Sequence, residues 1–144
     1  MTSDQAAPEG YQTPPFPIDE GFSAQLGPFY VRDTDDKILL KFFATSDHAN
    51  PGGALHAGVL ASFASNLMML PSLKATGGAK CSLISLNTDF LSGGKLEQWV
   101  DGWSHITRQT KDVLFVQAEL SQVHNSGDRR MLMTASGLVK IIGS

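Results

Sequence analysis

The residues best suited to chemistry lie in the stretch HANPGGALHAG, residues 48–58, which holds two histidines, an asparagine and three glycines. Glycines let a backbone turn sharply and approach a ligand closely. His48 and His56 could ligate a metal, but such a site needs a third ligand, for which Asp47 is a weak candidate. Histidines that hold the loop in shape are the favoured interpretation, and no metal site is expected.

An almost unbroken apolar segment follows this loop, interrupted by Ser62, Ser65 and Asn66. Its length and its content of Ala, Leu and Met predict a helix from residue 55 to about residue 70, which Pro71 ends. Apolar residues cover most of the helical wheel, so we expect this helix to be buried nearly all round. The three polar residues either hydrogen-bond to the preceding turn or line a pocket on one side of the helix.

Strand patterns surround this helix, two before it and four after it. They cover residues 29–33, 37–48, 81–91, 96–110, 113–124 and 129–142 and carry the alternation of strands. The breaks between the last four strands, at 92–94, 111–112 and 125–128, are short and suit antiparallel hairpins. The order predicts an α+β fold in which a long antiparallel sheet of about six strands wraps around one central helix.

The rest of the composition limits the setting of this domain. Residues 1–27 are rich in proline and predict an extended arm that packs late or not at all, so the folded domain is expected at 28–144. A net charge of −3 argues against a nucleic-acid partner. With one cysteine, no signal-like start and no apolar run long enough for a membrane span, we expect a cytoplasmic protein.

A family resemblance joins these features. The loop pattern H-x-N-P-x-G-x-x-H-x-G, the helix and the strand ending N-x-x-F-L at residues 87–91 resemble the hotdog-fold acyl-CoA thioesterases of the phenylacetate-pathway and hydroxybenzoyl-CoA type. The resemblance covers about residues 28–142. It implies hydrolysis of an acyl- or aryl-CoA thioester, with coenzyme A as part of the substrate and no other cofactor. It also implies a homodimer or homotetramer with pockets made between subunits.

The resemblance also implies roles for the loop residues. The backbone amides of Ala57 and Gly58 would form an oxyanion hole, because the first N–H groups of a helix have no internal partner and lie at the positive end of its dipole. Asn50 would orient the substrate or the attacking water, and His56 would help to hold the loop. The resemblance thus implies that Asn50 and the two amides polarise the thioester carbonyl.

The catalytic carboxylate of the family lies nine residues after the histidine that matches His56, and that position here is Ser65. A serine hydroxyl cannot act as a base alone, because it needs a base beside it. Ser65 would then hold a water in a weak thioesterase. The alternatives are a non-catalytic protein that binds an acyl-CoA or a small acid, and a different chemistry on the same fold.

Further polar residues are candidates for substrate contacts. Ser62 and Asn66 neighbour Ser65 on the helix, while Ser82 and Ser85 flank a strand position, Leu83, that is often polar in relatives. A carboxylate from another segment, or from the partner subunit, could also replace the missing base. The two to inspect are Asp47 and Asp89.

Overall fold

The computed structural model describes residues 5–143 of the chain and places six strands in one antiparallel sheet. The strands are β1 (Tyr30–Asp33), β2 (Ile38–Ala44), β3 (Lys80–Phe90), β4 (Gln98–Gln109), β5 (Val113–Val123) and β6 (Arg129–Gly143). Their order across the sheet is β1-β2-β4-β5-β6-β3. One helix, α1 (Ala57–Ala75), packs on one face of the sheet. The predicted fold class, an antiparallel sheet of six strands around one helix, is confirmed.

The alternation of side chains along the strands creates the surface on which α1 packs. In β2, residues 38, 40, 42 and 44 are buried, while those between them are partly exposed, as a period of two requires. Phe42 meets Phe63 of α1 edge to face at 4.7 Å between ring centroids. On β4 a Cβ atom at Gly102 would lie 2.5 Å from Cδ1 of Leu67, so glycine is required where the helix approaches the sheet.

The helix does not end where the sequence predicted. It continues through Pro71 to Ala75, so the prediction that Pro71 stops it is wrong. Proline removes one hydrogen bond of the helix, but Leu70, Pro71 and Ser72 are all buried, and that burial outweighs the loss. The Ser72 hydroxyl also donates to the Met68 carbonyl at 2.8 Å.

Burial of α1 is one-sided within a single chain. Nine residues of the helix are buried, whereas a stripe that includes Ala61, Ser62, Ser65 and Met69 is only half-buried. The expectation of a helix buried nearly all round is therefore wrong for one chain, because the sheet covers one side of α1. We call these four residues the open stripe.

The connection after β3 differs from the predicted hairpin. The two later breaks do form hairpins, but β3 pairs with β6 at the edge of the sheet, and β4 lies between β2 and β5. Residues 91–97 connect β3 to β4 and therefore pass across three strand spacings, about 14 Å. Seven extended residues span up to about 23 Å, so a short break allows this crossing as well as a hairpin.

The N-terminal segment packs on the domain. Its Ile18 and Leu26 side chains belong to the buried core, and Gln12 exchanges two backbone hydrogen bonds with Val31 of β1. The described part of the arm is thus not left unpacked, and it contains a short 3₁₀ helix at Gly21–Gln25. The division of the chain at residue 27 stays a prediction, and residues 1–4 of the arm lie outside the described residues.

Candidate functional site

The loop before α1 is closed by its own hydrogen bonds. The His56 N–H donates to the His48 carbonyl at 2.9 Å, and the Asn50 N–H donates to the Ala54 carbonyl at 2.7 Å. Gly53 takes a φ of 85°, in the left-handed region that glycine tolerates best. The loop is therefore a small hairpin that delivers the chain to the start of α1.

Asn50 shapes this loop with its side chain. Its Oδ1 atom accepts from the Ala54 N–H at 3.0 Å, so the side-chain oxygen is already engaged. The Nδ2 group has no hydrogen-bond partner within residues 5–143 and is the part of Asn50 that remains available to a ligand. Asn50 could therefore donate a hydrogen bond to a substrate or a water, in the role that the resemblance implies.

His56 is the N-cap of α1. Its Nδ1 atom accepts from the Gly58 N–H at 2.8 Å, which satisfies one of the unpaired donors at the start of the helix. The Ala57 N–H has no hydrogen-bond partner in the described part of the chain, and His56, Ala57 and Gly58 are all exposed. Of the two predicted oxyanion donors, the Ala57 amide is open and the Gly58 amide is held by the imidazole.

The Gly58 amide can still reach a ligand if the imidazole moves. His56 is on the surface, so a ligand oxygen would replace one acceptor by another, and a single hydrogen bond contributes about 0.5–1.5 kcal/mol net. The exchange therefore requires little free energy. A charged oxyanion would also gain from the positive end of the helix dipole.

The polar residues of α1 hydrogen-bond to the preceding turns. Ser62 donates from Oγ to the Gly58 carbonyl at 2.8 Å, and Ser65 donates from Oγ to the Ser62 carbonyl at 2.6 Å. Asn66 is buried and its Nδ2 group lies 3.2 Å from Oγ of Ser23 in the arm. The structure thus brings Gly58, Ser62 and Ser65 to one side of the helix, whereas it directs Asn66 toward the arm.

The two serines of β3 lie away from this group. Ser82 pairs with Lys140, and the adjacent pair, Leu83 and Val139, faces the core. A register shift between Leu83 and Ser85 moves Ser85 to the outer face as well, where its Oγ is 3.5 Å from Asn87. One chain therefore does not bring Ser82 and Ser85 together with Ser65, and their role as substrate contacts stays a prediction.

The two candidate carboxylates are also placed apart. Asp89 pairs with Thr134 and lines a cavity of 290 Å³ on the outer face with Trp103, so it cannot reach Ser65 within the same chain. Asp47 is exposed and lies in the 3₁₀ turn Ser46–His48 at the start of the loop. Within residues 5–143 no group of three or more His, Cys, Asp or Glu side chains is placed to hold a metal ion.

The outer face also carries an ionic cluster. Asp101 lies 3.0 Å from Nζ of Lys41 and 2.8 Å from Nη1 of Arg129. Burial raises the pKa of the neighbouring Tyr11 phenol, and the negative charge of Asp101 raises it further. These charges lie across the sheet from α1, so they do not contribute to the chemistry of the loop.

A cavity of 520 Å³ opens at the far end of the helix. It is lined by the β1–β2 turn, by Pro71 and Lys74, and by β4 residues that include Ser104. Its helix residues Pro71 and Lys74 are about 21 and about 26 Å from Ala57 along the helix axis, at 1.5 Å per residue. The first turn of α1 and the open stripe instead form an exposed surface, and any enclosed pocket there needs a second surface.

Residues 91–97, which cross the sheet from β3 to β4, hold the loop from another side. The sequence did not suggest this role. The Leu55 N–H donates to the Gly94 carbonyl at 3.0 Å. The buried amide of Gln122 accepts from the Lys95 N–H and donates to the Lys95 carbonyl, both at 2.8 Å. No local pattern marks Gln122, because its partner is 27 residues away.

Just over half of the sequence matches a known family. A model of the thioesterase superfamily matches residues 52–126, which is more than half of the chain and includes the second part of the loop, residues 52–58, with α1 and strands β3 to β5. The chain belongs to the thioesterase superfamily.

Two curated relatives are also named as thioesterases. The chain is 25% identical over 85 residues to acyl-coenzyme A thioesterase 13 of Homo sapiens, a match that covers 59% of this chain and 61% of the relative. The Pongo abelii protein of the same name gives the same values. The matched region thus spans about three fifths of the length of these relatives.

Solved structures share the fold. A hypothetical thioesterase with coenzyme A from Streptococcus pneumoniae superposes with a TM-score of 0.72 at 14% identity, covering 84% of this chain and 91% of the other. A phenylacetic acid degradation-related protein from Ralstonia eutropha gives 0.68 at 24% identity, covering 88% and 92%. A mutant of the phenylacetic acid degradation protein PaaI from Thermus thermophilus gives 0.71 at 16%, covering 84% and 98%.

Gly58→Val tests the assignment of the first turn. A Cβ atom at Gly58 would lie 2.9 Å from Cε1 and Nδ1 of His56, so a branched side chain displaces the ring and crowds the first amides. We expect affinity for coenzyme A thioesters to fall more than stability does, because position 58 is exposed. Calorimetric titration and thermal unfolding measure the two effects. Gly143→Val, where a Cβ meets nothing within 4 Å, is the matched control, and unchanged binding by Gly58→Val would refute the oxyanion assignment.

Proposed function

We propose that this protein hydrolyses acyl-CoA thioesters at the first turn of α1. The observation that carries the proposal is the exposed Ala57 N–H, which has no partner within residues 5–143 and lies at the positive end of a 19-residue helix. A donor in this position stabilises a thioester carbonyl as it gains negative charge. Membership in the thioesterase superfamily supports this reaction class.

The chemistry follows from the groups around Ala57. The thioester carbonyl oxygen accepts from the Ala57 N–H and, once the imidazole of His56 has moved, from the Gly58 N–H. A water adds to the carbonyl carbon, the carbon–sulfur bond breaks, and coenzyme A leaves as its thiol while the acyl group leaves as an acid. The free Nδ2 group of Asn50 orients the carbonyl or the water.

The position of Ser65 makes this hydrolysis slow. Its hydroxyl lies on the open stripe, where it could turn from the Ser62 carbonyl to hold a water. It cannot take the proton of that water, because a serine needs a base beside it. A positioned general base typically contributes about 10²–10⁴-fold, so the rate should be lower by a factor of this order than with a carboxylate at position 65.

Coenzyme A is the substrate moiety that the comparisons support. The curated relatives are named acyl-coenzyme A thioesterases, and the Streptococcus pneumoniae structure includes coenzyme A. No helix within residues 5–143 has the length and apolar character to cross a membrane, and a cytoplasmic location remains part of the proposal.

We further propose that the active form is a homodimer in which two β3 strands pair. Strand β3 is 11 residues long and lies at the edge of the sheet. Ile84, Phe90 and Leu91 are exposed there by 53%, 50% and 55%. A long apolar edge is a template for pairing with another chain. A second subunit would also supply a surface to cover the open stripe and enclose a pocket.

A non-catalytic protein that binds acyl-CoA is the second candidate. The observation that favours it is the state of Ser65, whose hydroxyl already donates to the Ser62 carbonyl. With that bond kept, the site could hold the carbonyl oxygen without activating a water. The two candidates share the Ala57 amide and differ in the chemistry at position 65.

Ser65→Asp tests the proposed hydrolysis. If the pocket aligns a thioester, a carboxylate at position 65 should raise the rate of thiol release from a panel of acyl-CoA substrates by about 10²–10⁴-fold. Ser65→Asn is the matched control, because it has the same size without the base. Ser65→Ala should lower the rate if the hydroxyl holds a water and leave it unchanged if the serine is structural.

Folding and ligand binding must be measured with these rates, because a buried unpaired carboxylate tends to take up a proton. If Ser65→Asp folds, binds acyl-CoA and hydrolyses nothing, the thioesterase proposal is wrong and the binding protein replaces it.

Ile84→Lys tests the proposed dimer. A lysine at an exposed edge opposes strand pairing, so we expect this variant to sediment as a monomer at micromolar concentration while the unchanged protein sediments as a dimer. Val123→Lys, at the exposed end of β5, is the matched control and should stay dimeric. A monomeric unchanged protein, or a dimeric Ile84→Lys variant, would contradict pairing through β3.

A further inference from the structure

The side chain of His48 is held through both nitrogens of its ring, one of which hydrogen-bonds to the arm. Its Nδ1 atom accepts from the Thr45 N–H at 3.0 Å, so the proton of a neutral ring lies on Nε2. The Nε2–H group donates to the Gln25 carbonyl at 2.8 Å. The side chain is 3% exposed, and its ring packs edge-on against Phe42 at 5.4 Å, so its position is well determined.

The backbone of His48 continues this connection to α1. Its carbonyl accepts from the His56 N–H at 2.9 Å, and Nδ1 of His56 accepts from the Gly58 N–H at 2.8 Å. Three hydrogen bonds, joined through the two histidines, therefore lead from the Gln25 carbonyl to the Gly58 amide. This amide is one of the two donors of the proposed oxyanion hole.

The same part of the arm also contacts α1 directly. The Ser23 hydroxyl lies 3.2 Å from Nδ2 of Asn66, the residue after Ser65, and Leu26 is buried in the core. Residues 21–26, which we call the bracket, thus hydrogen-bond to the loop on one side and to the helix on the other. A segment that merely covered the core would not need both of these polar contacts.

We infer that the bracket positions the first turn of α1 for thioester chemistry and that His48 is the positioning residue that transmits its effect. The inference rests on the proposed function and names what holds that site. His48 touches no substrate in this account. When its bond to Gln25 is lost, the His48 ring can shift, the carbonyl that holds His56 shifts with it, and the amides of the first turn lose their alignment.

A pair of variants separates the two bonds of the His48 ring. In His48→Asn the shorter side chain can accept from the Thr45 N–H but cannot reach the Gln25 carbonyl. In His48→Gln the longer side chain can donate to the Gln25 carbonyl in place of Nε2–H. Each variant keeps one bond and loses the other, so a purely structural role of the ring predicts similar effects of both.

We expect His48→Asn to lower kcat on acyl-CoA at least tenfold with little change in KM, and His48→Gln to keep most of the kcat. Hydrogen exchange of the His56 N–H, followed by NMR, should accelerate in His48→Asn and stay near its original rate in His48→Gln. Thermal unfolding of both variants is the control for overall stability. Equal kcat and equal exchange rates in the two variants would overturn the inference.

The exchange measurement also separates this inference from the proposed function. If the unchanged protein hydrolyses no acyl-CoA, the proposed function fails, while the exchange rates still decide whether the bracket holds the first turn. Should the His48 variants not fold, Ser23→Ala removes the second contact of the bracket. It should accelerate exchange of the His56 N–H, and an unchanged rate in that variant would overturn the inference.

Discussion

The close approach of α1 to the sheet is the constraint on which the rest of the structure depends. A Cβ atom at Gly102 would lie 2.5 Å from Leu67, and one at Gly137 would lie 2.9 Å from Sδ of Met68. Two glycines on different strands thus let the middle of the helix approach the sheet closely. Interiors packed this tightly hold their elements in place, so the amide end of α1 emerges at a defined point beside the loop.

Local patterns predicted the elements, but not how they are joined. The alternation along β2 follows from a period of two and was predicted correctly. The pairing of β3 with β6 could not be predicted, because the length of the break after β3 does not determine which strand β3 pairs with. The bulge between Leu83 and Ser85 reverses the face on which Ser85 lies, and alternation alone cannot show such a shift.

The candidate site was predictable where a motif defines it and not where distant residues complete it. The loop pattern located Asn50 and the helix start. The hydrogen bond between His48 and Gln25 joins residues 23 positions apart in the sequence, and the one between Asn66 and Ser23 joins residues 43 positions apart. No local sequence pattern reveals contacts over such separations. In the proposed site, the first turn of α1 polarises a carbonyl and the arm holds that turn, while Ser65 stands where the resemblance implies a catalytic carboxylate.

The proposed function requires the first turn of α1 to bind a thioester carbonyl. A coenzyme A analogue with a methylene group between the acyl carbonyl and the sulfur keeps the carbonyl but cannot be hydrolysed as a thioester. Titration of this analogue, followed by the backbone amide resonances, tests this requirement directly. We expect saturable downfield shifts of the Ala57 and Gly58 amide protons, since both would donate to the carbonyl oxygen. Saturable binding that leaves both resonances unmoved would contradict the proposed function.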